Sequence, residues 1–182
     1  MRILESNRII IKPVEQEDLP FLLCLRWDSD IVNYLIHEPI SSKSQQTWFE
    51  SIAKSNDIPF SIFVKEPDNA HKTTIAGTVG LYNFKYRHQR ATWRLRISSD
   101  FQGKGIGFEA TNMVLDYGFN TLNLHKIDGD AFAENIAILK LAKKLGFVEE
   151  GVLRSHYFHQ GCFRNSINLG LLKEDFNRNH NK

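Results

Sequence analysis

The 182-residue chain is predicted to fold as a mixed α/β (α+β) domain, a mainly antiparallel sheet followed by strand–helix–strand–helix–strand–strand. Three observations predict this. The first half holds short β-branched runs separated by polar breaks, which read as a meander. After a glycine-rich stretch at 103–107 the apolar residues recur at helical spacing. The last third holds a second amphipathic helix that ends at a glycine and is bracketed by strands.

The elements follow in order. Arg8–Val14 (RIIIKPV) is a strand. EQEDLPFLLCLRW is helical, with Glu15, Glu17 and Asp18 enriching the first turn before Leu19, Leu22, Leu23 and Arg26. Pro39 and Ser41–Ser42 break the chain, and one of these serines caps a helix carrying Trp48, Phe49 and Ile52. Phe60–Lys65 is a strand, EPDNAHK a polar turn, and Thr73–Phe84 a strand containing Gly77 and Gly80. KYRHQR is a loop and Ala91–Ser98 another strand. Ile106, Ala110, Met113, Val114 and Tyr117 then mark a helix. NLHKIDGDAF is a strand. In the helix from Asn135 to Leu145, Ile138, Leu141, Ala142 and Leu145 line one face, and Gly146 stands where a left-handed cap is expected. Strands Phe147–Leu153 and Phe163–Leu172 complete the order. Residues 1–175 are expected to form a single domain and 176–182 a frayed tail.

Composition excludes several classes. Charged residues make up 24% of the chain and apolar residues 42%, with a net charge of +2, an ordinary soluble balance. The charge is too small to argue for nucleic acid. The pair Cys24 and Cys162 has no metal-type spacing, so neither a disulfide framework nor a metal site is expected, and reduced thiols in a cytoplasmic protein are the default. The N-terminal segment has no apolar run long enough for a signal peptide or membrane span.

The stretch DFQGKGIGFEA (100–110) raises the functional question. A strand feeds a glycine loop, which feeds an amphipathic helix. Backbone N–H groups at a helix N-terminus are unpaired donors in a positive dipole field, a site suited to phosphate. Glycines let a ligand approach the backbone. Gly105 is followed by Ile106, which is not the Walker pattern, and the spacing is not the dinucleotide fingerprint. A glycine-rich turn with no ligand is the plain alternative.

Gln102-Gly103-Lys104-Gly105-Ile106-Gly107 resembles the Gln/Arg-x-x-Gly-x-Gly/Ala signature of GNAT-family N-acetyltransferases, which bind the pyrophosphate of acetyl-CoA on this loop. ENIAILKLAKKLGFVEEGVLR (134–154) is similar to the family's Asn-helix-Gly-Phe block followed by EG-x-x-R. The order of elements from Arg8 to Leu172 fits as well, so the resemblance spans nearly the whole chain. LNLHKI (122–127) and HQGCFRNSINLGLL (159–172) look like the subgroup containing ribosomal-protein alanine acetyltransferases and spermidine acetyltransferases.

The resemblance implies a GNAT-like fold with about seven strands, about four helices and a splayed strand pair, and transfer of an acetyl group from acetyl-CoA, with no metal, to a primary amine. Gln102, Gly103, Lys104, Gly105, Ile106 and Gly107 would cradle the pyrophosphate. Leu95, Arg96 and Ile97 would pair with the pantetheine arm. Asn135 would bind the pantetheine or the acetyl end. Lys143 or Lys140 would reach the adenosine phosphates, although a solvated helix face explains either lysine. The amine must shed a proton before it attacks, and a strand N–H would stabilise the oxyanion.

The chain departs from the family where catalysis is concerned. A tyrosine common seven residues after the motif asparagine is Ala142 here, a serine three after it is Ile138, and a glutamate on the splayed strand is Thr92. Candidates for the acid and base are Tyr157, His156 and Thr92, with His125 and Tyr82 further options. His156 and His159, three apart in a strand, would face opposite ways and make no metal site.

For the acceptor pocket the aromatics are Trp27, Tyr34, Trp48, Tyr82, Tyr157 and Phe158, and the acids Asp28, Asp30 and Glu38. A polyamine, an amino sugar and a protein N-terminal amine all remain open as acceptors. DSDIVNYLIHEPI is similar to polyamine-holding segments, and LRWDSDIVNYL…SSKSQQTWF to amino-sugar acetyltransferases. A non-catalytic acyl-CoA-binding module is the alternative that the missing side chains motivate. An RNA-associated reading of KYRHQRATWRLR is weaker, because a half-buried strand explains its alternation. The partners implied are a small-molecule amine or protein N-terminus, with no nucleic acid or membrane, and a homodimer by analogy.

Overall fold

The computed structural model describes residues 4–34, 40–67 and 69–180, without the side chains of residues 29, 30, 70, 71 and 180. The strands are β1 (Leu4–Glu5), β2 (Ile9–Pro13), β3 (Ile58–Glu66), β4 (Asn69–Lys85), β5 (Arg90–Ile97), β6 (Lys126–Phe132), β7 (Val148–His159) and β8 (Cys162–Leu172). The helices are α1 (Leu19–Leu25), α2 (Ser29–Val32), α3 (Ser42–Ile52), α4 (Ile106–Asp116), α5 (Ile136–Leu145) and α6 (Lys173–His180). The expected mixed fold, mostly antiparallel, is therefore present. It has more elements than expected because β1 and α2 are too short to leave a periodic signal and the tail forms α6.

The described chain gathers into two compact units. The first holds residues up to Asn83 and Arg94–Val114, and the second Phe84–Trp93 and Leu115 onward. Strand β5 contributes its first four residues to the second unit and its last four to the first.

In the first unit β1, β2, β3 and β4 pair antiparallel in that order. Ile9, Ile11, Phe60, Ile62, Val79 and Leu81 point inward from them and are fully buried. Val14, Leu19, Leu22, Leu25 and Ile31 form a cluster against which Trp48 and Phe49 of α3 pack. Two polar groups fix the helix starts. The buried Asp18 carboxylate accepts from the Glu15 N–H (3.0 Å) and the Ser61 hydroxyl (2.6 Å), closing a capping box. Ser41 caps α3 by accepting from the Ser44 N–H at 3.1 Å. The segment expected as a polar turn is shorter than read, since Glu66 already pairs with Asn69. Ile62 pairs with Gly77 and Phe63 with Ile75, so Ala76 is the extra residue of a bulge, and its carbonyl accepts from the Ser98 N–H at 2.9 Å.

In the second unit the order is β5-β6-β8-β7. β5 and β6 are parallel over three pairs, ending at Thr92↔Asp128, while β6–β8 and β8–β7 are antiparallel. β7 and β8 are joined through Gln160 and Gly161, both at positive φ (50° and 79°), a turn that matches strand twist. The strand expected from Asn123 starts at Lys126, because Asn123 is left-handed (φ 55°). Gly146 ends α5 at φ 94° as expected.

The tail is the main correction. Lys173–His180 is helical rather than frayed. Phe176 is buried (1% exposed) and lies 5.2 Å from Phe119, centroid to centroid. One apolar residue in eight gives no periodicity to read, but it fills the core. Phe176→Ala is expected to cost about 3–5 kcal/mol, measured as a fall in the urea midpoint at unchanged m-value. A loss under about 1 kcal/mol would mean the tail is not anchored.

Candidate active site

The first unit carries the glycine loop. After β5 the chain makes a turn at Ser99–Phe101 and enters α4 at Ile106. Gly103 and Gly105 sit at φ 70° and 79°, where a side chain is strained. Gly107 differs, being part of the first turn of α4. The first helical bond runs from the Glu109 N–H to the Gly105 carbonyl at 3.1 Å. The N–H groups before it fall in the stretch that has no intrahelical acceptor. Ile106 is buried (3%) and anchors the helix, while residues 102–105 are exposed.

Two contacts fix this loop. The Gln102 amide donates to the Ile97 carbonyl at 3.0 Å, tying the loop to the end of β5. Arg8 donates to the Lys104 carbonyl (3.2 Å) and, through Nε and Nη2, to Glu109 Oε2 (2.8 and 2.6 Å). The Ser6 hydroxyl bonds the other Glu109 oxygen. Glu109 would otherwise put a bare negative charge in the first turn of α4, and Arg8 offsets it. With Lys104 exposed beside them, the donor set fits a pyrophosphate.

Leu95 and Ile97 are half-buried on β5. Arg96, also half-buried, shares the opposite face with exposed Arg94. Burial, followed by the charge of Arg26, pushes the Arg96 guanidinium down to about 10. Of the acceptor-pocket residues, Tyr82 is buried, Trp48 packs on the α1 core, and Trp27 is exposed with its indole N–H donating to the Ile40 carbonyl (3.2 Å). Tyr34 is exposed. Asp28 accepts from the Ser99 hydroxyl at 3.3 Å. Glu38 lies outside the described residues, as does the side chain of Asp30.

The second unit brings the catalytic candidates onto β6. Thr92 donates its hydroxyl to Asp128 Oδ1 (2.8 Å), and Arg90 pairs with Oδ2 (3.1 Å). Two residues on, Asp130 Oδ2 accepts from the Tyr157 phenol and the Ser166 hydroxyl, both at 3.0 Å. Between Leu153↔Ser166 and Tyr157↔Arg164, three residues of β7 face one of β8, with Ser155 at φ 50° and its N–H donating to Asn165 Oδ1 (2.8 Å). This bulge aims Tyr157 at Asp130. His156 lies inside it, exposed, its ring 4.5 Å from that of Tyr157, so the strict strand alternation assumed for His156 and His159 does not hold. His159 packs on Phe132 at 5.3 Å. Phe158 is exposed and paired with Phe163 at 5.3 Å. His125 is exposed. Among the described residues no group of three or more His, Cys, Asp or Glu is placed to hold a metal.

Asn135 has a structural duty. Its Oδ1 accepts from the Ile138 N–H at 3.2 Å and caps α5. Lys143 and Lys140 are exposed on α5, Lys143 in the last turn, where it complements the helix dipole.

Asp128, Asp130, Ser166 and the Arg8–Glu109 brace are not legible as site residues from local pattern alone. The alternation in KIDGDAF did place both aspartates on one strand face. Arg8 and Glu109 are a hundred residues apart and leave no local signal.

Comparison with known proteins places this geometry in a family. The family model described as "Acetyltransferase (GNAT) domain" matches residues 8–148. The spermidine N(1)-acetyltransferase of Escherichia coli K12 is 29% identical over 177 residues, covering 96% of this chain and 91% of its own. The N-acetyltransferase p20 of Bacillus licheniformis is 30% identical over 184 residues, covering 97% and 99%. The spermidine N-acetyltransferase of Vibrio cholerae, solved in complex with CoA and spermine, superposes with a TM-score of 0.83 at 27% identity, over 94% of this chain and 99% of that one.

Two stability predictions follow from these residues. Asn135→Ala removes the α5 cap and should cost about 1 kcal/mol, largely restored in Asn135→Asp. Equal stability of the wild type and Asn135→Ala in urea would refute the capping role. Arg96 stays charged at every pH below about 10, and a base with a depressed folded pKa destabilises the fold while charged. That cost is therefore flat from pH 6 to 9 and is relieved only as pH rises through 10. Arg96→Met should stabilise the ligand-free protein by about 1–3 kcal/mol, and a lower melting temperature would contradict this.

Proposed function

The chain belongs to the GNAT acetyltransferase family, and we propose that it moves the acetyl group of acetyl-CoA to a primary amine of a small molecule by direct attack. The observation that carries this is the loop 102–107, where two left-handed glycines lead into the start of α4 beside Arg8 and Lys104. On this reading main-chain N–H groups from Gly103 to Gly107 hold the pyrophosphate, with Gln102 locking the loop to β5. Leu95, Arg96 and Ile97 offer main-chain partners to the pantetheine arm, and Lys143 a phosphate contact.

When bound, acetyl-CoA supplies an activated acyl carbon. The amine nitrogen bonds to that carbon, the carbon–sulfur bond breaks, and the proton shed by the amine passes through water or a side chain to the departing sulfur. Tyr157 is the residue best placed for that traffic, because its phenol is oriented by donating to Asp130. His156 stands beside it. Thr92 commits its hydroxyl to Asp128 and serves to position that carboxylate. A thiol of pKa about 8.5 also leaves without much help, which fits a chain with Ala142 where the family resemblance puts the acid.

Polyamines are one of the acceptor pools to be tried, because the E. coli and V. cholerae relatives are spermidine acetyltransferases. Purified protein and acetyl-CoA should be offered polyamines, amino sugars with their nucleotides, and N-terminal peptides, with products read by mass. An acetylated amine in one pool is the expected result, and Gly107→Glu should abolish it along with acetyl-CoA binding while the protein stays folded. Acetyl-CoA binding with no product in any pool would instead indicate a non-catalytic acyl-CoA sensor. Undiminished affinity in Gly107→Glu would place the phosphate site elsewhere.

A further inference from the structure

Four of the nine described arginines have carboxylate partners. Arg8 pairs with Glu109, Arg90 with Asp128, Arg164 with Glu134 and Arg178 with Asp175. Exposed Arg87 and Arg154 have none, and neither do Arg26, Arg94 and Arg96. Among the described residues none of the three makes an ion pair or a side-chain hydrogen bond, although each carries five N–H donors. They are nonetheless gathered. Arg94 and Arg96 are two apart on β5 and share a face, and Arg26 closes the end of α1. The Arg94 guanidinium lies 5.2 Å over the ring of buried Tyr82. Burial weakens the charged forms of Arg26 and Arg96, and the charge of Arg94 acts on both in the same direction.

Three like charges, two of them half-buried and none paired among the described residues, are costly for the protein to hold. A ligand bearing negative charge removes that cost. Planar guanidinium forks suit phosphate and carboxylate oxygens, two bonds at a time. The face matters as well. Positions 94 and 96 alternate onto one side of β5, the strand on which the family resemblance puts a base acting on the acceptor.

We propose that Arg26, Arg94 and Arg96 bind an anionic group, phosphate or carboxylate, on the same small molecule whose amine is acetylated. This rests on the acetyl-transfer reading and narrows it, because a polyamine carries only positive charge and is repelled by such a face.

Matched amines test it. Ethanolamine and glucosamine are compared with phosphoethanolamine and glucosamine 6-phosphate, and butylamine with 4-aminobutyrate, so that the phosphate and carboxylate arms are separate. Spermidine is the cationic control. For at least one pair the anionic member should show a kcat/KM about tenfold or more above its neutral twin, and Arg94→Gln and Arg26→Gln should erase that preference. Arg94 is exposed, so its variant is expected to fold. Binding of the same phosphorylated and carboxylated amines to CoA-loaded protein, followed by calorimetry, is the readout independent of transfer. Binding to wild type that is lost in Arg94→Gln supports the anion site even if no amine is acetylated, in which case the acetyl-transfer reading alone fails. Spermidine used better than every anionic amine, a preference that survives in both variants, or no difference in binding between wild type and Arg94→Gln would each overturn the proposal.

Discussion

The link from β5 to α4 passes from strand to helix within a few residues by entering the left-handed region. Gly103 and Gly105 do so at φ 70° and 79°, and the rest of the first unit is arranged around that fact. Ile106 is buried so that α4 starts at a fixed point. Gln102 and Arg8 hold the loop from its two ends by hydrogen bonds to carbonyls. The Ala76 bulge gives the Ser98 N–H an acceptor where β5 ends. Replacing either glycine strains the loop by about 1–2 kcal/mol, an effect on backbone shape that no side-chain contact restores.

The second unit is organised by strand alternation on β6. Ile127 and Ala131 are buried on one side, while Lys126, Asp128 and Asp130 project from the other and bond Glu150, Thr92 and the Tyr157–Ser166 pair. The two rows serve different ends, packing and polar chemistry, on a seven-residue strand. Tyr157 reaches this row because β7 is irregular, which a reading based on even strand spacing does not foresee.

Legibility divides along the same physical line. Local signals were readable: β-branched runs for β2 and β3, helical spacing for α4 and α5, the glycine after α5, and the serine before α3. The glycine loop was readable as a strand-to-helix link because its geometry is carried by adjacent backbone. What stayed hidden depends on contacts between distant residues. Arg8 meets Glu109, Asp130 meets Tyr157, and Phe176 meets Phe119, and none of these pairs has a fixed spacing. Asn135 shows the mixed case. Its position before a helix suited it to capping, and its Oδ1 is engaged in that duty while the side-chain NH2 is still a donor.

The bulge in β7 has a consequence beyond the aim of Tyr157. β7 ends the strand order of its unit, so one side of a twelve-residue strand offers backbone groups to any other extended chain. Val148, Val152 and Phe158 are exposed along it, a combination prone to self-association. The kink at 154–156 and the second irregularity between Glu149 and Gly151 break that strand into short straight segments, none long enough to template a fibril-like ladder. Colloidal stability and the placement of a phenol thus depend on one local distortion. A shortened, regular β7 would lose solubility and the Tyr157–Asp130 contact together.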